Sequence, residues 1–187
     1  SHRHLVAALS EATNAAAFAL DYRLAPEHPF PAAIEDAVAT YRWLLDQGIA
    51  PNRIAIAGDS AGGGLTMATM LRAREAGLPL PAAGVCLSPW VDLTLAGASY
   101  TANTEAIATR ERLAGYVKLY LTNETDVKNP LVSPVFADLK GLPPLLIQVV
   151  AAEPFYDDSI QLEAAAKASG IESLLEIWPE MIHVWHY

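Results

Sequence analysis

Apolar residues along this chain follow two alternating rhythms. Short, mostly apolar runs recur at 54–57, 85–87, 145–152 and 173–178, and between them lie stretches whose apolar positions are three and four residues apart. The first pattern suits strands covered on both faces, and the second suits helices with one buried stripe. A helix is predicted over 4–13, with Leu5, Ala8, Leu9 and Ala12 on one face. Ala15 to Leu20 reads as a buried strand, although its alanines suit a helix equally. The stretch 21–31 must be loop because Pro26, Pro29 and Pro31 interrupt it. Ile34, Ala37, Val38, Tyr41 and Leu45 then mark an amphipathic helix ended by Gly48. Arg53 to Ala57 reads as a strand, 61–76 as a helix closed by Gly77 and Pro79, and Val85 to Leu87 as the next strand.

From Asp92 to Pro144 the alternation lapses. One helix, from about Glu105 to Leu121, sits among long polar and proline-containing connections, and an insertion of that length reads as a lid or cap rather than a simple crossover. Leu145 to Ala152 restores a strand, Asp157 to Ser169 a helix closed by Gly170, and Ser173 to Trp178 a last strand, with His183 in the loop beyond. Strand alternating with helix predicts an α/β chain with a parallel sheet covered on both faces. No internal repeat or low-complexity segment appears.

Composition narrows the partners. The 187 residues are 52% hydrophobic and carry 12 basic against 21 acidic side chains, a formal net charge of −9. That length and hydrophobic content support one domain with a substantial core. The negative charge argues against nucleic acid or an anionic membrane surface as partner, and leaves an uncharged or cationic small molecule as the easier substrate. No apolar run approaches the roughly 20 residues of a membrane span and no signal peptide opens the chain, so a soluble, cytoplasmic protein is the expectation. The single cysteine, Cys86, lies in the run Gly84-Val85-Cys86-Leu87 and is expected to be a buried strand residue rather than a nucleophile.

The chemistry centres on Arg53 to Gly64, where an apolar run meets a serine flanked by glycines and then a helical pattern. Gly58-Asp59-Ser60-Ala61-Gly62 fits G-x-S-x-G, a strand–turn–helix elbow that projects a serine oxygen from the end of a sheet. Gly58 and Gly62 are expected to remove side chains that would collide with the neighbouring strand and helix. Backbone N–H groups near Ala61, at the start of the helix, could face a developing oxyanion. Two phosphate-binding readings fail on spacing, since no G-x-G-x-x-G starts at Gly58 and no Lys-Ser or Lys-Thr closes a P-loop. A nucleophilic serine needs a base, and the base needs an orienting acid. Of five histidines His183 is best placed, because it follows the last strand and so lies at the carboxyl edge of the sheet. His186 is a weaker candidate, and the spacing of His2, His4 and His28 offers no metal site. The acid should follow the strand Leu145 to Ala152, where Glu153, Asp157 and Asp158 compete. Position favours Glu153, because Asp157 and Asp158 also stand where a helix N-cap is wanted.

Four segments together carry a resemblance: Asp21 to Ala33 (DYRLAPEHPFPAA), Gly58 to Gly63 (GDSAGG), Leu87 to Thr94 (LSPWVDLT) and His183 to His186 (HVWH). They are similar to the bacterial hormone-sensitive-lipase-like family of α/β-hydrolases, and the likeness runs almost end to end. It implies an α/β-hydrolase fold, a mostly parallel, doubly wound sheet with a partial cap within 92–144, and a serine carboxylesterase acting on short- to medium-chain esters through an acyl-enzyme. Ser60 is the implied nucleophile, His183 the base, and Ala61 N–H an oxyanion donor. The family's acid opens an Asp-Pro-Leu-x-Asp-Glu stretch, and here Glu153-Pro154-Phe155-Tyr156-Asp157-Asp158 stands in that place, with Asp157 as the alternative acid.

Trp90, Tyr116, Tyr120 and Phe155 are candidate pocket residues, with ordinary core packing as the competing role. No metal or organic cofactor is implied, and the expected partners are a small ester and, as an assembly, a homodimer. A His-Gly-Gly-Gly oxyanion loop and an upstream cap segment, both features of the family, are not in the sequence, and its end is short by about one helix. The expectation is a catalytic domain truncated at both ends. Three rival readings share the fold: an inactive fragment, a ligand-binding relative without turnover, and an amide hydrolase.

Overall fold

The computed structural model describes residues 2–102, 108–122 and 127–187. Four parallel strands, β1 (Ala55–Asp59), β2 (Ala83–Leu87), β3 (Leu145–Val150) and β4 (Ser173–Trp178), lie side by side in chain order. Gly58 sits level with Cys86, Leu87 with Gln148 and Val150 with Trp178, so all four carboxyl ends point to one edge. The helices are α1 (Arg3–Thr13), α2 (Ala32–Asp46), α3 (Ala61–Glu75), α4 (Ser99–Ala102), α5 (Arg110–Tyr120) and α6 (Tyr156–Ala168).

The core follows from the strand period. Cys86, Leu145 and Ile147 project from one face of the sheet into a cluster with Met67, Met70 and Leu71 of α3 and Leu162 and Ala166 of α6. Gly84 leaves room for α3, since a Cβ there would lie 2.7 Å from the Met70 methyl. Ile34 and Val38 of α2 pack on Ala68 of α3, and buried Tyr41 donates its hydroxyl to the Pro79 carbonyl at 2.7 Å. Gly48 and Gly170, both with positive φ, follow the ends of α2 and α6 as expected.

Four local expectations change. Residues 15–20 form no strand: the segment is irregular and its backbone joins no ladder, and Phe18 is exposed against the Trp43 ring of α2. An apolar run becomes a strand only where a neighbour accepts its hydrogen bonds. The apolar stripe predicted for α1 buries Leu5 alone, leaving Ala8, Leu9 and Ala12 exposed. β1 is also less covered than its run suggests, because it edges the sheet: Ile56 packs on the core, whereas Ala55 and Ala57 are exposed. The helix expected from Glu105 begins at Arg110, where the Thr109 hydroxyl accepts the Arg112 N–H, and its first expected residues, 105–107, lie outside the described ones. Among the described residues no helix is long and apolar enough to cross a membrane.

Candidate active site

Ser60 stands between β1 and α3 with φ 54° and ψ −120°, a conformation rare for a residue with a Cβ. The strain is held from the β2 side. Ser60 N–H donates to the Leu87 carbonyl at 2.8 Å, and the Ser60 carbonyl accepts the Trp90 N–H at 2.9 Å. Close approach explains Gly58 as expected, but it falls on Gly63 and Gly64 rather than on Gly62. A Cβ on Gly58 would lie 2.1 Å from the Gly62 carbonyl oxygen, one on Gly63 2.6 Å from the Pro89 Cβ, and one on Gly64 2.3 Å from the Trp90 carbonyl oxygen. Gly62 itself faces open space. Gly58 meets α3 itself, whereas the Gly63 and Gly64 collisions arise where the first turn of α3 crosses the chain leaving β2, and Gly62 points away from both.

The turn after β4 carries His183 to the same edge. Its Nε2 lies 3.0 Å from Ser60 Oγ, and its Nδ1 lies 2.6 Å from Glu153 Oε2. Glu153 is fully buried at the end of β3, where its other oxygen accepts the Val150 N–H at 3.0 Å. An ionised carboxylate only accepts, so Nδ1 carries the proton and Nε2 offers its lone pair to the serine hydroxyl. Ala61 is the first residue of α3, a position whose N–H has no acceptor within its own helix.

Asp157 and Asp158 do not cap α6, whose N-cap residue is Phe155. Asp157 Oδ2 accepts the Ser99 N–H at 2.9 Å. Asp158 Oδ2 accepts the N–H groups of Val91 and Asp92 at 2.9 and 2.8 Å, and its Oδ1 accepts the Tyr100 hydroxyl at 2.8 Å. Burial pushes the Asp158 carboxyl up to about 7, against the three hydrogen bonds that stabilise its charge and with the Asp92 carboxylate adding to the rise. Asp92, Tyr100 and Asp158 carry no catalytic motif of their own, and sequence reasoning gave them no shared role.

Of the candidate pocket residues, Trp90 and Phe155 come together beside His183. Phe155 holds its ring 5.0 Å from the imidazole and 5.7 Å from the Trp90 ring. Tyr120 packs edge-on against Phe30 with ring centroids 6.0 Å apart, and Tyr116 is exposed on α5. A recess of about 430 Å³ lined by Phe30, Ile34, Val38 and Leu131 lies away from the serine. His186 donates Nε2–H to Gln148 Oε1 at 2.8 Å, and burial lowers its pKa. His2 reaches Asp59 at 3.1 Å, and the Tyr187 hydroxyl bonds both His2 and Asp59. Separations of 57 and 128 residues hid those contacts from any local pattern.

The family model for the alpha/beta hydrolase fold matches residues 1–187. The chain belongs to the alpha/beta hydrolase fold family. This hydrolase-fold chain is 53% identical to an acetyl-hydrolase of Streptomyces hygroscopicus over 100% of its own length and 63% of the relative's. It is 38% identical to an esterase of Acinetobacter venetianus, covering 97% of this chain and 60% of that protein. Among solved structures, EstE5 soaked with p-nitrophenyl butyrate superposes with a TM-score of 0.94 at 55% identity, covering 99% of this chain and 63% of EstE5. An esterase from the bacterial hormone-sensitive lipase family superposes with a TM-score of 0.95 at 49% identity, with 99% and 63% covered. These neighbours meet the likeness read from the motifs. The chain thus spans about three fifths of the length of these relatives.

Proposed function

We propose that the protein is a serine carboxylesterase acting on short- to medium-chain carboxylic esters, with Ser60 as nucleophile, His183 as general base and acid, and Glu153 as the orienting acid. The observation that carries the reading is the unbroken relay from Ser60 Oγ to His183 Nε2 at 3.0 Å and from His183 Nδ1 to Glu153 Oε2 at 2.6 Å. His183 removes the Ser60 proton as Oγ attacks the ester carbonyl, and Ala61 N–H donates to the oxygen that becomes negative. The tetrahedral species collapses to an acyl-enzyme as His183 returns the proton to the leaving alcohol. Water, deprotonated by the same imidazole, then releases the acid. Buried Glu153 keeps the imidazole in the tautomer that both steps need.

The segment 92–144, which joins β2 to β3 and carries α4 and α5, serves as the cap-bearing insertion of a single catalytic domain. The esterase names of the relatives support the substrate class. A complete oxyanion hole calls for further donors, since removing one such donor typically costs about 10²–10³ in kcat, so the proposal concerns the full-length protein. An organophosphate or sulfonyl fluoride should label Ser60 there, and Ser60→Ala should abolish both labelling and hydrolysis of p-nitrophenyl butyrate. Retained turnover in Ser60→Ala would overturn the reading.

A further inference from the structure

The acid and its aromatic neighbour share one short turn. Residues 151–155 link the end of β3 to the start of α6, and this short turn carries both Glu153 and Phe155. Its outer side is fastened by a different part of the chain, the segment 90–101 that leaves β2 beside the serine elbow. Ser99 Oγ donates to the Pro154 carbonyl at 2.6 Å, and Asp157 Oδ2 accepts the Ser99 N–H. Gly97 lies so close that a Cβ there would sit 2.9 Å from the Asp157 Cβ.

The centre of this fastening is Asp158. Its carboxylate is fully buried and gathers the N–H groups of Val91 and Asp92 and the Tyr100 hydroxyl. The Tyr100 ring packs edge-on against Phe155 at 6.0 Å, and Phe155 in turn packs on His183. The groups facing Asp158 are therefore Tyr100, the Asp92 carboxylate and two backbone donors. A buried acid is an expensive way to hold two segments together, and well-packed apolar residues often do as well. What the acid provides is a fixed register: two adjacent backbone donors on one oxygen and a phenol on the other allow one placement of 90–101 against α6.

We propose that Asp158, acting with Tyr100, is a positioning residue that holds the Glu153–Phe155 turn at the distance His183 requires. The proposal rests on the esterase reading above and names a residue that touches neither substrate nor His183. Misplacing a catalytic group by about 1 Å can cost on the order of 10² in rate, so the effect belongs in kcat rather than in KM. Asparagine can reproduce the pattern, because its oxygen accepts both N–H groups while its amide donates to the Tyr100 oxygen and the phenol turns to the Asp92 carbonyl, 3.2 Å away.

The test uses the full-length protein with p-nitrophenyl butyrate and proton NMR of the far-downfield resonance of the proton shared by His183 and Glu153. Asp158→Ala should lower kcat by about 10²-fold with KM nearly unchanged and weaken or shift that resonance. Asp158→Asn should restore both. Tyr100→Phe should shift both in the same direction by less, and it decides the matter if Asp158→Ala does not fold. Wild-type kcat and an unmoved resonance in Tyr100→Phe, or in a folded Asp158→Ala, would overturn the proposal. Failure of the esterase reading itself shows differently, as turnover that survives Ser60→Ala.

Discussion

Glu153 divides its carboxylate between two partners, with Oε2 2.6 Å from His183 Nδ1 and Oε1 accepting the Val150 N–H at 3.0 Å. The acid is thereby fixed to the strand end as well as to the imidazole. Glu153→Gln keeps the shape but puts an amide N–H where an acceptor stood, so either one contact fails or the imidazole is driven to the tautomer whose Nε2 carries the proton. It should cut kcat by on the order of 10³–10⁴ with little loss of folding, by analogy with an amide replacing a triad carboxylate. Asp157→Asn, which still accepts from Ser99, should leave most activity. Steady-state kinetics and thermal melts of the two variants decide the assignment, and an inactive Asp157→Asn beside an active Glu153→Gln would reverse it.

The glycines of the elbow should behave unequally. Gly62 faces open space within α3, so Gly62→Ala should raise stability by roughly 0.5–1 kcal/mol. Gly63→Ala and Gly64→Ala drive a methyl into Pro89 and the Trp90 carbonyl, and each should lower the melting temperature markedly or prevent folding. Calorimetry on the three single variants ranks them, and equal melting temperatures would refute the close approach.

Asp158 gives stability a pH dependence of known sign. Its folded-state pKa, about 7, is raised above the ordinary carboxylate value. Between the two values the folded chain holds a proton that the unfolded chain has released, so stability falls as pH rises through that window and is level above it. The slope from this group is at most about 1.4 kcal/mol per pH unit. Asp158→Asn cannot ionise, and its melting temperature relative to the wild type should therefore be higher at about pH 8 than at about pH 4.5. A difference independent of pH would show that Asp158 does not titrate in this range.

Phe155 packs on His183 and Trp90 packs on Phe155, and the esterase reading proposed above has these rings bound an acyl site for short to medium chains. Activity on p-nitrophenyl esters should fall sharply from short or medium to long acyl chains. Equal rates on a long-chain triglyceride would count against that preference.

Much of this was legible in the chain because it depends on near neighbours. The apolar runs give the four strands, and G-x-S-x-G places Ser60 in a strained turn between one strand and one helix. Glu153 and His183 follow strand ends, so the parallel topology alone sends them to one edge. What stayed hidden depends on distant partners. Asp157 and Asp158 have the local appearance of helix caps, but Asp158 binds backbone donors 67 and 66 residues away. Residues 15–20 have strand composition, yet a strand exists only with a ladder partner. Gly62, Gly63 and Gly64 are alike in sequence, and only the crossing chain at Pro89 and Trp90 tells them apart.

Cys86 provides an internal clock for the centre of the sheet. Its thiol is fully buried in β2, directed toward the Gly63 carbonyl at 3.8 Å, and pushed up to about 12 by that burial. A thiol reagent needs the accessible thiolate, so the folded chain should be inert to alkylation and react only in molecules whose central strands have parted. As it is the single cysteine of these 187 residues, the slow rate at which the Cys86 peptide itself gains an adduct would report those openings. When the chain recloses faster than it is alkylated, comparing that rate with the rate in denaturant would give the free energy of opening β2 without any added probe.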